Sequence, residues 1–253
     1  MKTFFRIFLL FGFVFLTFAC GSSRQAPSGG KKSPPATTET PAFIHPYLQS
    51  GENFDNINTC FYQGLLIDGT TKIPVSCFFQ KNQSLIVSVK YQGKDVFPLF
   101  FTENQHYKWT GEAYVPLDAG DIARVREILP SGWYFKAYQL YRDRKPFNIY
   151  ERKKILNGQE VSVIKSREGD TNWYFYFEHQ HGLLVKMERE HDGQIDMNVE
   201  FMDFRTAEGI ELPYYWLIRL PGNQEKEYKA IWKNIRPGAE NPFSSVRLSV
   251  QEN

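Results

Sequence analysis

Residues 173–204 read WYFYFEHQHGLLVKMEREHDGQIDMNVEFMDF, and they decide the fold. Three alternating runs, Trp173 to His179, Leu183 to Glu190 and Gln194 to Phe204, are separated by Gln180-His181-Gly182 and His191-Asp192-Gly193. Each connection carries Gly where a hairpin loop needs a left-handed residue. Read as three-residue loops, they align Phe177 with Val185 and Phe175 with Met187. The next hairpin aligns Met187 with Met197, Val185 with Val199, and Leu183 with Phe201. All of these fall on one face. The other face pairs Lys186 with Asn198, Glu188 with Asp196, and Leu184 with Glu200. One apolar and one polar face across three strands indicate an antiparallel sheet with one wet side.

The pattern continues in both directions. Ile210, Leu212, Tyr214, Trp216 and Ile218 alternate, turn through Pro221-Gly222-Asn223, and face Tyr228, Ala230 and Trp232. Asn157-Gly158 marks another hairpin, and Ser84 to Tyr91 with Val96 to Thr102 a further one, giving about ten strands. One helix interrupts them. Asp118 caps it, Asp121 complements its dipole, Ile122, Val125, Ile128 and Leu129 form a stripe, and Pro130 with Gly132 ends it. Such a stripe is first of all core, and the concave side of a curled sheet is the natural place for it. The expected fold is mainly β (α+β): a strongly curved antiparallel meander or half-barrel with a helix across its concave face.

The N-terminus reads differently. Lys2 and Arg6 precede an uncharged apolar run from Ile7 to Phe18, too short to span a bilayer, so residues 1–19 are expected to be a signal peptide. Ala19-Cys20-Gly21 follows and resembles the lipobox of bacterial lipoproteins, although Thr17 and Phe18 stand where that pattern prefers Leu and a small residue. An ordinary cleaved signal with an incidental Cys is the alternative. The segment up to Pro41, rich in Ser, Gly, Pro, Thr and Lys, favours lipidation of Cys20, because it makes a flexible leash behind the anchor. Residues 20–41 are thus expected to be anchor and linker, and 42–253 one domain.

Removing residues 1–19 takes Lys2 and Arg6 from the 30 bases and leaves the 28 acids untouched, so the mature chain is formally neutral. That gives no basis for a nucleic-acid partner. The runs Arg142, Arg144, Lys145 and Arg152, Lys153, Lys154 read as solvated strand ends and loops. Export also sets an oxidising compartment. With Asp68-Gly69 as a two-residue turn, Cys60 falls opposite Cys77 at a non-hydrogen-bonded pair, and a cross-strand disulfide is expected. One residue objects: that register places Pro74 at a hydrogen-bonded position, where it cannot donate. A longer loop relieves Pro74 and spoils the pairing.

The second half also resembles a known family. Trp173-Tyr174-Phe175-Tyr176-Phe177, Gly182-Leu183-Leu184, Val199 to Arg205 (VEFMDFR) and Glu208 to Pro213 (EGIELP) are similar to the strand run of the LolA/LolB-like lipoprotein-sorting superfamily. Tyr107-Lys108-Trp109 is a fainter echo. The resemblance covers about a third of the chain and consists mainly of structural residues. It implies a half-barrel that holds acyl chains, and it carries over no ligand-binding residue.

No nucleophile elbow, phosphate-binding glycine loop or Cys-x-x-Cys is present, and no enzyme activity or cofactor is expected. His179 and His181 flank a turn with no third ligand at a telling spacing, so no metal is expected; His191 belongs to a turn as well. What remains is aromatic content: 22 Phe, 14 Tyr and 5 Trp. Two readings follow. One is a lipid-anchored envelope protein, leaning to the outer membrane because Gly21 follows the anchor. Its cavity, lined by Phe175, Phe177, Met187, Val199, Phe201, Tyr214 and Trp216 under the 118–129 helix, binds a lipid or a lipoprotein acyl chain. The other is a structural or interaction lipoprotein with a filled core and a protein partner.

Overall fold

The computed structural model describes residues 41–248 other than 92, 129–131, 146 and 222–225. The signal segment, Cys20 and the linker up to residue 40 lie outside the described residues.

Two meanders make the sheet. The first comprises β1 (Thr59–Asp68), β2 (Thr71–Gln80), β3 (Ser84–Tyr91), β4 (Lys94–Phe101), β5 (His106–Trp109) and β6 (Tyr114–Pro116). The second comprises β7 (Asn148–Leu156), β8 (Gln159–Glu168), β9 (Thr171–Glu178), β10 (Leu184–His191), β11 (Gln194–Ala207), β12 (Ile210–Leu220) and β13 (Lys226–Pro237). Within each meander every strand pairs antiparallel with the next, and β13 returns to pair with β1. The result is one thirteen-stranded sheet in the order β6-β5-β4-β3-β2-β1-β13-β12-β11-β10-β9-β8-β7 among the described residues, against about ten strands expected. It curls into a half-barrel and does not close.

That order dictates where the helices go. β6 and β7 are neighbours in the chain but occupy opposite edges of the sheet. The segment between them must cross the molecule, and it carries α2 (Ala119–Ile128) and α3 (Lys136–Arg142). An earlier helix, α1 (His45–Asp55), precedes β1. Ile44, Tyr47, Leu48 and Phe54 form its buried stripe, and Pro46 sits in its first turn, where a missing N–H costs nothing. Residues of all three helices share one core with inward side chains from β1 to β13, so all three lie on the concave side.

Helix α2 forms where expected: Asp118 Oδ1 accepts the Asp121 N–H at 2.8 Å, and Lys108 of β5 holds Asp121 at 2.5 Å. Its Val125 is buried and Ile122 half-buried in the common core. The helix expected over Phe177 and Phe201, however, is not α2. Those rings are covered by Tyr47 of α1 and by Tyr134, from the turn before α3. Gly51 brings α1 and α3 together, because a Cβ there would stand 2.3 Å from the Tyr138 ring.

Asp55 ties this helical layer to the sheet. Its carboxylate takes an ion pair from Lys81, a hydrogen bond from the Tyr138 hydroxyl at 3.0 Å, and an ion pair from Arg142 at 3.0 Å. Burial alone would raise its pKa, but Lys81, Tyr138 and Arg142 outweigh that and hold it below the ordinary value. A depressed carboxylate stabilises the fold above the ordinary aspartate range, near pH 4. That stability is lost as pH falls through the lower folded value. Asp55→Asn is expected to cost about 2 kcal/mol near neutral pH and to flatten the acid limb. Urea melts at pH 7 and pH 3 check it: equal losses at both pH values would show that Asp55 is not held in its charged form.

Two registers differ from expectation. Asp68 pairs with Thr71, so the β1–β2 turn is Gly69-Thr70, with Gly69 at φ +55°. Pro74 now faces Leu65 at a non-hydrogen-bonded position, and the ladder between β2 and β3 begins only at Val75. The missing Pro74 N–H thereby harms neither neighbour. The expected disulfide is lost with that shift: Cys60 faces Phe79, Cys77 faces Tyr62, and both thiols are free.

In the second hairpin run, Met187 pairs with Phe175 as expected, but it faces Val199 rather than Met197. The loop after β10 has two residues, Asp192-Gly193, both at positive φ, with a bulge at Arg189/Glu190. The loop before β10 has five residues, 179–183. The buried Glu178 carboxylate accepts the N–H groups of Gln180 and His181 at 2.9 and 2.7 Å. A further bulge between Leu184 and Lys186 sends Leu184 into the core and Val185 to the outer face, the reverse of the expected sides.

Candidate functional site

The concave face collects the seven residues singled out in the sequence into one apolar core. They are not equivalent. Phe175, Phe177, Met187, Val199 and Phe201 are 0–1 % exposed, and Tyr214 is also buried. Trp216 alone among them is half-buried.

The first five are sealed, Phe177 and Phe201 by rings of the helical layer. The Tyr47 ring meets Phe177 at 5.2 Å and Phe135 at 5.9 Å. Phe54 stacks on Phe135 at 4.5 Å and lies 6.1 Å from Phe79. Tyr134 stands edge-on to Phe201 at 5.2 Å, and Phe175 is stacked between Phe147 and Trp173, each at 6.2 Å. The Tyr47 hydroxyl donates to the Tyr134 carbonyl at 2.7 Å and accepts the Tyr138 N–H at 3.3 Å. Lys136, itself buried, pairs with Glu168 at 2.8 Å above the Trp173 ring. This half of the concave face is solid core.

The other half, under β1, β2, β12 and β13, differs. Tyr62, Cys77 and Trp216 point inward with the core yet remain half-buried. Tyr62 lies 5.3 Å from Trp232 and 6.2 Å from Trp216, and the two tryptophans meet at 5.6 Å. Burial, then the adjacent Cys60 and Cys77, pushes the Tyr62 hydroxyl well up, and burial pushes both thiols to about 12. These inward groups keep accessible surface although burial strips much of their hydration, so this half of the concave face is less completely sealed than the other. Its polar groups stay neutral at physiological pH. Trp216 Nε1 donates to the Pro213 carbonyl at 3.0 Å, whereas Trp232 Nε1 is buried without an acceptor. An apolar wall with a few neutral polar groups suits an alkyl chain better than an ionic ligand.

Sequence reasoning thus found the face and Trp216, but not Tyr62, Cys77 or Trp232 as lining. Cys77 had been set aside for the disulfide. It also missed α1, whose stripe at residues 44, 47, 48, 51 and 54 has helical spacing but contains Gly51 and polar neighbours. His179 is engaged in structure: its Nε2 lies 2.7 Å from Ser162 Oγ, and Phe43 stacks on its ring at 5.1 Å. A surface cleft of about 600 Å³ on the outer face of β11 to β13 is lined by Glu200, Arg219, Glu227 and Lys229 among others, and is charged.

No protein-family model and no curated protein matches the sequence. Among solved structures, the chain is similar to the LolA superfamily protein NE2245 from Nitrosomonas europaea. That match has a TM-score of 0.50 and 9 % identity, over 77 % of this chain and 94 % of the other. It is also similar to a DUF1329 family protein from Desulfovibrio piger, with a TM-score of 0.51 and 7 % identity, over 80 % and 95 % of the two chains. At such identities the likeness concerns fold. The open antiparallel half-barrel with helices in its concave face is the LolA-like fold, which the strand run at 173–213 already resembled.

Proposed function

We propose that this LolA-fold chain is a cell-envelope lipoprotein, and a binder rather than an enzyme. Its half-barrel takes a hydrophobic ligand, a lipid or the acyl chain of another lipoprotein, into a recess beside Tyr62, Cys77 and Trp216. The single supporting observation is that these deep, inward residues keep accessible surface while they pack against the apolar core of the half-barrel. Cys20 carries the anchor, residues 21–41 give the domain its reach, and Gly21 favours the outer membrane, facing the periplasm. A role in lipoprotein sorting fits such a carrier.

The test is native mass spectrometry of the mature chain purified without detergent, followed by titration with a fluorescent fatty acid. A co-purifying lipid and saturable uptake are expected, both reduced at least about tenfold by Trp216→Glu, which places a charge in an apolar site. The same spectrum reads the anchor as added mass on the N-terminal Cys20 peptide. An apo mass with no uptake would remove the ligand reading. The alternative would then stand: an envelope interaction protein with a filled core and a protein partner. The sealing of Phe175, Phe177 and Phe201 beneath Phe147, Tyr47 and Tyr134 is the observation that favours it.

A further inference from the structure

Tyr141, Tyr150 and Ile155 are the exposed large hydrophobic residues among those described, at 39, 61 and 68 %. All three lie in one stretch, from the end of α3 through β7. The same stretch holds Arg142, Arg144, Lys145, Arg152, Lys153 and Lys154 against only Asp143 and Glu151, although the mature chain as a whole is formally neutral. Read from sequence, these bases are solvated loops and strand ends; the structure puts Lys153 and Lys154 on the free edge strand β7 and Arg144 and Lys145 in the turn that leads into it, while Arg142 is held by Asp55.

The arrangement along β7 is specific. Tyr150 lies on the outer face, 5.3 Å from Tyr174, while Ile155 pairs in register with Glu160 and so takes the opposite side from Lys154 and Leu156. Apolar groups on both sides of one edge strand suit an edge-on approach to a surface. Lys153 is 77 % exposed, 3.8 Å from Glu160, and Arg144 and Lys145, just before β7, are exposed as well. Strand addition by a protein is disfavoured here. Two register shifts, at Ile149/Glu151 and Glu151/Lys154, interrupt the row of N–H and C=O groups that an incoming strand would need.

We infer that this edge is a membrane-contact surface, on which Tyr150 and Ile155 enter the headgroup region while Lys145, Lys153 and Arg144 meet anionic phosphates. Aromatic and aliphatic groups interleaved with bases are the chemistry of interfacial attachment to anionic lipid. The inference is independent of the recess and of how Cys20 is modified. It requires only that the chain meet a bilayer, and it fixes which side of the domain turns to that bilayer.

Hydrogen exchange of the whole chain, bound to vesicles with and without phosphatidylglycerol, tests it. Amides of residues 148–155 are expected to exchange about tenfold more slowly on the anionic vesicles than on pure phosphatidylcholine. That difference is expected to vanish in high salt and in Lys145→Glu/Lys153→Glu, whose exposed positions leave the fold intact. Equal exchange on both vesicles would overturn the inference. So would protection that appears only when envelope proteins are added, which would make the edge a protein interface. Fatty-acid uptake, measured on the same samples, reports on the recess separately.

Discussion

Gly64→Ala is expected to lower the stability of the fold by about 3 kcal/mol or more, and the thermal midpoint by about 10 °C. A Cβ at this position would lie 2.1 Å from the Ile231 carbonyl oxygen and 2.9 Å from both the Ile231 carbon and the Trp232 Cα. All three are backbone atoms, so no side-chain rotation relieves the clash. The place matters as much as the distance. Gly64 stands at the bulge in the β1–β13 ladder, and that ladder is the one pairing through which the two meanders become a single sheet. Forcing it apart also disturbs Tyr62 and Trp232, which flank the recess. Gly69→Ala serves as control: it has φ +55° with nothing within 4 Å, so only the left-handed conformation is penalised, at about 1 kcal/mol. Equal midpoints for the two variants would show that the seam adapts and that Gly64 is not required there.

Alternation carried most of the sheet into view. The apolar face of β9 to β13 was legible because one wet side forces a period of two, and a wrong register by two residues, as at Met187, leaves every side chain on its proper face. Local irregularities were not legible. A bulge moves one residue across the sheet, so Leu184 and Val185 exchanged sides without any change in the surrounding pattern. Pro74 shows a signal that was present and outweighed. Its missing N–H argued against the register that joined Cys60 to Cys77, and the fold obeys Pro74. The β1–β13 closure and α1 lay further out of reach. The first is a pairing between strands over a hundred residues apart, and the second is a helix of weak propensity stabilised by the aromatic layer it completes. For the same reason the site was half legible: no local pattern says which part of the concave face α1 seals.

Phe177→Ala and Trp216→Ala are expected to separate those two parts by opposite effects. Phe177 is fully buried, and Tyr47 at 5.2 Å and Phe43 at 6.4 Å pack against it. Its truncation leaves a void that the α1 layer cannot collapse into, at a cost of about 3–5 kcal/mol. Trp216 is the larger ring, and in a uniformly filled core its loss should cost as much or more. If one side of it faces the proposed recess, it forfeits contacts on the other side only, and a cost below about 2 kcal/mol is expected. Uptake of a fatty acid should follow the reverse order. The Phe177 variant, measured at a temperature where it remains folded, should keep its affinity, while the Trp216 variant loses most of it. Denaturant melts and a fluorescence titration on both proteins decide the matter. A Trp216→Ala cost matching that of Phe177→Ala would mean that the recess is filled in solution. The half-barrel would then be a scaffold, and its function would have to be sought on its outer face and edges.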